Sequence, residues 1–219
     1  MNTILSGKLK LFHVSTIIIL ISLVGCTLPT SPSVEPPSAG TSSSETASPA
    51  TVQFFLTADN TPIQVTRQDG STTDLSQGQA IPVALNDSIK VGGAGLGKLL
   101  YSDRITAEIL QNTELVLTKL TEVTGGRIEA TFNLVSGHVH IRTGENGKAD
   151  VILKTDDTTI TTLVDDTDFT VCYAPGADGL TCHPVIRGSI KVFGKTGTQV
   201  YDGPSGGYTF NGQAPQPPV

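Results

Sequence analysis

Gly92-Gly-Ala-Gly-Leu-Gly-Lys98 carries most of the spacing of a phosphate-cradling loop, in which glycine amides wrap a nucleotide's phosphates and a lysine reaches their far end. That chemistry also needs a hydroxyl directly after the lysine to hold Mg²⁺, and Leu99 stands there instead. The stretch reads as a glycine-rich turn, and no nucleotide is expected as a partner. His138 and His140 stand two apart, so on a strand they project from one face and could chelate a metal if a third ligand such as His183 joined them. The alternative is two polar residues on the solvent side, opposite Val139 and Ile141. Ser136 precedes His138 by two, which lets a nucleophile and a base share a face, although Gly137 between them leaves their aim open. No nucleophile elbow of the G-x-S-x-G kind is present.

Asp156, Asp157, Asp165, Asp166 and Asp168 form the densest acidic patch. Such a patch suits a hard cation, or the paired carboxylates of a hydrolase. No calcium loop ending in Glu is present, and with no Trp there is no aromatic-rich platform for sugars. Solvated turn acids are the expected account, with no metal, cofactor or catalytic residue assigned.

The compartment decides the cysteine chemistry. Residues 1–25 have the layout of an export signal: Lys8 and Lys10, then the uncharged run Val14–Val24, too short for an ordinary membrane-spanning helix. The run closes on Leu23-Val24-Gly25-Cys26, which resembles a bacterial lipobox, so Cys26 is the expected site of lipidation after cleavage. Residues 26–50 are then a lipidated cysteine followed by a Ser/Thr/Pro-rich tether, too poor in apolar residues to offset the entropy of ordering. The expected location is outside the cytoplasm, anchored to a bacterial membrane of the cell envelope through lipid on Cys26. There an even pair, Cys172 and Cys182, most simply forms a disulfide, with Pro175-Gly176 and Asp178-Gly179 turning the chain between two arms. A metal site of Cys172, Cys182 and His183 is the alternative.

Lys8 and Lys10 are the only charged residues of the signal, so its removal takes the net charge from −6 to −8. An acidic chain gives no electrostatic reason to bind nucleic acid. Residues 51–211 are long enough to bury one core, and residues 212–219 read as a disordered polar tail.

The elements that must position these residues are strands. Ile128, Ala130, Phe132 and Leu134 alternate with Glu129, Thr131 and Asn133, and Ile190 and Val192 alternate with Ser189 and Lys191. Glycine-containing turns punctuate such runs, which implies one all-β domain of short, mostly antiparallel strands in a twisted, solenoid-like or sandwich arrangement. Over residues 96–120 the spacing of Ile105, Ile109, Asn112 and Val116 also fits a helix, but the frequency of Thr, Ile and Val favours strands. A weak repeat sets Leu134-Val-Ser-Gly137-His-Val-His-Ile141 beside Val185-Ile-Arg-Gly188-Ser-Ile-Lys-Val192, with glycine expected at a tight corner in both copies.

Five stretches taken in order resemble the FecR-like domain family. They are Asn86-Asp-Ser-Ile-Lys-Val-Gly92, Leu99–Asp103, Leu134–Ile141, Asp166-Thr-Asp-Phe-Thr-Val171 and Gly188-Ser-Ile-Lys-Val192. The family's R-G-T becomes Asp165-Asp-Thr167 here. Only residues 1–13 precede the apolar run, too few for the cytoplasmic anti-sigma segment of the family's regulators, so their transcriptional role is not expected to carry over. The resemblance implies an all-β domain engaged in contacts outside the cytoplasm. Two functions follow as expectations. One is a non-catalytic module binding another envelope protein or polymer; the alternative is a small hydrolase or carbohydrate-binding protein using the patch Asp156–Asp168.

Overall fold

The structure, a computed structural model, describes residues 53–144, 148–176 and 179–217. The expected signal, Cys26 and the tether lie outside the described residues. The chain forms strands throughout: β1 (Phe54–Asn60), β2 (Ile63–Thr66), β3 (Thr72–Leu75), β4 (Ala80–Val83), β5 (Ser88–Val91) and β6 (Leu96–Tyr101). Next come β7 (Ile105–Ile109), β8 (Thr113–Val123), the long β9 (Arg127–Thr143), β10 (Ala149–Lys154), β11 (Thr159–Thr162) and β12 (Asp168–Ala174). The last are β13 (Leu180–Cys182), β14 (Val185–Arg187), β15 (Ser189–Phe193), β16 (Thr198–Asp202) and β17 (Tyr208–Phe210). No helix occurs among the described residues, so the segment 96–120 is β6, β7 and the start of β8.

All strands join one hydrogen-bonded sheet, and β9 is its hinge. The first half of β9 pairs with β8 and, in parallel, with β10; its second half pairs with β7 and β12. The sheet thereby divides into two layers. One runs β3-β2-β5-β8-β9-β10-β11-β15-β16. The other runs β4-β1-β6-β7-β9-β12, then β13 and β14 beside β12, then β17. The β9–β10 pair is the only parallel one among these. Alternation makes the core: Ile128, Ala130, Phe132 and Leu134 of β9 are buried and join one apolar cluster with Phe54 and Leu56 of β1. Phe54 meets Phe132 edge-on across the layers with ring centroids 5.5 Å apart. Fully burying one such ring contributes about 1.5–3 kcal/mol.

The two glycines of the sequence repeat lie where the chain passes between layers. Gly137 has φ 94° and separates the halves of β9, while Gly188 has φ 80° and separates β14 from β15. A Cβ on Gly137 would lie 2.5 Å from the Thr113 Cα, and one on Gly188 would lie 2.6 Å from the Thr167 Cα. The repeat therefore has a steric origin: each crossing passes directly over a threonine backbone.

Gln216, in the polar stretch after β17, bridges back to that strand. Tyr208 and Gln216 exchange backbone hydrogen bonds of 3.0 and 2.9 Å, and the Tyr201 hydroxyl donates to the Gln216 carbonyl at 3.2 Å. A strand edge with free amides supplies a partner that composition does not show.

Candidate functional site

Some of the sequence's candidates, the glycine turn, Ser136 and His138, come together at one corner of the layers. Gly92 to Gly95 is the turn between β5 and β6, closed by the Gly95 amide donating to the Gly92 carbonyl at 3.0 Å. The turn is shorter than the glycine pattern suggested, since Gly97 and Lys98 already belong to β6. Beside it runs the β7–β8 turn, and beyond that the crossing at Gly137. The Thr113 hydroxyl stitches the last two together: it donates to the His138 carbonyl at 3.0 Å and accepts from the His138 amide at 2.8 Å.

A groove flanks the corner on each side. The first has a volume of about 430 Å³, and Gly92, Asn112 and Ser136 contribute to it. The second, also about 430 Å³, is lined by Gly95, Leu96, Leu110, Gln111 and His138. Ser136 and His138 thus face different grooves. Neighbours two apart share a face only while the strand stays in one layer, and the crossing at Gly137 separates them.

The first groove follows a row that local sequence does not reveal. Asp74 on β3, Gln64 on β2, Lys90 on β5, Glu114 on β8 and Ser136 on β9 stand directly opposite one another in register. Gln64 Nε2 donates to Asp74 Oδ1 at 2.9 Å, Ser88 Oγ donates to Glu114 Oε1 at 3.1 Å, and Lys90 Nζ lies 3.8 Å from Glu114 Oε2. Each residue looked like an isolated polar position on a strand; only the register lines them up.

The other candidates are held by neighbours. His138 and His140 do project from the face opposite Val139 and Ile141, but His140 lies between two acids, 2.5 Å from Asp168 Oδ1 and 3.4 Å from Glu108 Oε2. Arg142 holds the same Glu108 at 2.5 Å. The acidic patch is dispersed in the same way. Arg127 lies 3.1 Å from Asp165 and Arg187 lies 2.5 Å from Asp166, charge pairs without well-aligned hydrogen bonds to those two oxygens. Arg127 is also gripped by Asp150 through two bonds of 2.6 Å, which hold its guanidinium more firmly protonated than usual. Asp156 accepts from the Tyr173 hydroxyl at 3.1 Å; burial, then that carboxylate, push the phenol up to about 12. Asp157 accepts from Thr155 and Thr158. Among the described residues no three His, Cys, Asp or Glu side chains are placed to share a metal ion.

Cys172 and Cys182 are joined as a disulfide, directly opposite on β12 and β13 with Cα atoms 5.0 Å apart. His183 is not their neighbour in space on the same side. Thr181 and His183 are fully buried while Cys182 between them is half-buried, so the strand's alternation turns the ring away from the sulfur. The ring packs on Tyr201, centroids 4.8 Å apart, with Nε2 3.5 Å from Thr209 Oγ1 and no partner for Nδ1. Burial lowers its pKa to about 4.

Residues 87–191 match the FecR protein family. Two solved structures of a Parabacteroides distasonis protein described as a "putative anti-sigma factor" are similar to it, each at 16% identity, with TM-scores of 0.45 and 0.46. Each similarity covers 57% of this chain and 55% of the other, so this chain spans about half the length of those proteins. No curated protein matches the chain. Two residues of the stretches that resemble the family keep a glycine's conformation. Asn86, which begins the first of those stretches, has φ 65°, and Asp166, at the glycine of R-G-T, has φ 58°. Asn and Asp are the side chains that best tolerate this left-handed region. Asp87, beside Asn86, is an anchor: only 1% exposed, it accepts from Arg67 and from the Ala84 amide.

Proposed function

We propose that this chain is a lipid-tethered FecR-like domain that works outside the cytoplasm by binding another envelope protein or polymer, without catalysis. The observation that carries this reading is the pairing of its acids and His140. Asp165, Asp166 and Asp168 each face a cationic or imidazole partner across strands, a structural use of groups that a hydrolase would need free. Ser136 and His138 line separate grooves, which supports the same reading against nucleophilic chemistry. The anchor rests on the sequence: Lys8 and Lys10, the apolar run Val14–Val24, the cleavage pattern ending at Cys26, and the polar tether after it. Several acyl chains on Cys26 would hold the domain firmly, since a single chain anchors only marginally.

Two measurements test the reading. Cells expressing the chain are grown with labelled palmitate; the wild type takes up label and Cys26→Ala does not, whereas equal labelling of both removes the anchor from the proposal. Envelope extract is then passed over wild type and over the Asp165→Asn, Asp166→Asn, Asp168→Asn triple variant. Capture of the same partner by both agrees with a binding module. An enzymatic turnover of envelope polymer that the triple variant loses would establish the hydrolase instead.

A further inference from the structure

We infer that the groove along Asp74, Gln64, Lys90, Glu114 and Ser136 is a binding site for an extended, uncharged oligosaccharide chain. The inference rests on the proposed binding role and names the class of polymer.

The spacing comes first. Five side chains on five successive strands stand in register, so they repeat at the interstrand distance of about 4.8 Å and span roughly 19 Å in four steps. That repeat is close to the length of one pyranose ring in an extended polysaccharide, so each ring would meet a new side chain.

The chemistry of the row agrees. Sugar hydroxyls both donate and accept, and they are best held by side chains that alternate in the same roles. Here a carboxylate, an amide, an ammonium, a second carboxylate and a hydroxyl follow in order. Internal bonds fix three of these groups, Asp74, Gln64 and Glu114, before any ligand arrives. Gln64 is tied to Asp74 through its amide nitrogen, leaving Oε1 free to accept, and Ser88 holds one oxygen of Glu114. Preorganised polar groups lose less entropy on binding. Pro62 also lines the groove and offers an aliphatic surface to the C–H face of a ring.

Rival ligands fit worse. An extended peptide binds a sheet chiefly by adding a strand to an open edge. The central strands of this groove, β2, β5 and β8, are paired on both sides, so their backbones have no edge to offer. A polyanion would meet two carboxylates and one ammonium, the latter 3.8 Å from Glu114.

The test uses the full chain, solubilised in detergent, titrated calorimetrically with cellohexaose and with N-acetylchitohexaose. Saturable binding of either is expected. Gln64→Ala with Glu114→Ala together should weaken it at least tenfold, the loss of about one net hydrogen bond. Ser136→Tyr, which fills the groove from a partly exposed position, should weaken it as well, and Asp165→Asn should leave it unchanged. Unaltered thermal midpoints keep these changes attributable to the groove. Failure of both sugars at millimolar concentration overturns the inference, as does binding that ignores the groove variants. So does a mixed hexapeptide pool that binds and is lost with the same variants. If the sugars fail while wild type and groove variants still capture one envelope protein, the inference falls and the binding role stands.

Discussion

Acid should loosen this domain through His183, and the size of the effect can be worked from the ring's surroundings. The side chain is fully buried, its Nδ1 has no partner, and burial lowers its pKa from 6.5 to about 4. One pKa unit is about 1.4 kcal/mol, so that displacement corresponds to about 3 kcal/mol. The sign follows from proton uptake. Between pH 6.5 and about 4 the unfolded chain binds a proton at His183 that the folded chain refuses, so stability falls as pH falls through that window. The contribution is complete above the window and exhausted below it. His183→Phe keeps a ring beside Tyr201 but cannot titrate. Urea melts followed by circular dichroism at both ends of the window, for wild type and variant, isolate the ring from the carboxylates that titrate in both proteins. The wild type should lose about 3 kcal/mol more than the variant, equivalent to roughly 6–12 °C in Tm for a domain of this size. Equal losses in the two proteins would refute the reasoning, as would an imidazole NMR titration of folded His183 centred near its ordinary value.

Gly137→Ala should cost about 3 kcal/mol or more, because the new methyl combines positive-φ strain with overlap onto Thr113; Gly70→Ala, at φ 83° with nothing within 4 Å, should cost only about 1 kcal/mol of strain in the same thermal melts. Asp166→Ala and Asp166→Gly both lose the Arg187 pair, but only alanine is strained at φ 58°, so chemical denaturation should find Asp166→Ala about 1 kcal/mol less stable than Asp166→Gly. Replacing Cys172 and Cys182 together with Ser should remove about 2–3 kcal/mol by reopening a short loop, roughly 4–12 °C in Tm with the β spectrum intact. Alkylation and mass spectrometry of unreduced protein should find neither thiol free.

Alternation was enough to make Ile128–Leu134 and Ser189–Val192 strands and to say which side chains face inward, because a strand's two faces are set by the backbone alone. Glycines at matching places in two segments marked the crossings at Gly137 and Gly188, since no other residue fits over Thr113 and Thr167. The ambiguity over residues 96–120 was local too, because Ile105 and Ile109, four apart, satisfy both periods until strands lie on either side of them.

What sequence distance hides is partnership. Nothing near Asp165, Asp166 or Asp168 announces Arg127, Arg187 or His140, and an acidic run reads as a patch until side chains from other strands pair with it. His183 looked available as a ligand beside Cys182, whereas packing against Tyr201 and Thr209 withdrew it from water. The groove is the clearest case. Its row draws on residues 64 to 136, and each is one polar position in an ordinary alternating strand. The sequence by itself determined that these side chains point outward from strands and that the chain bends at its glycines. Register decided which of them stand together, because hydrogen-bonded pairing between distant strands, and not spacing along the chain, sets what lies opposite what.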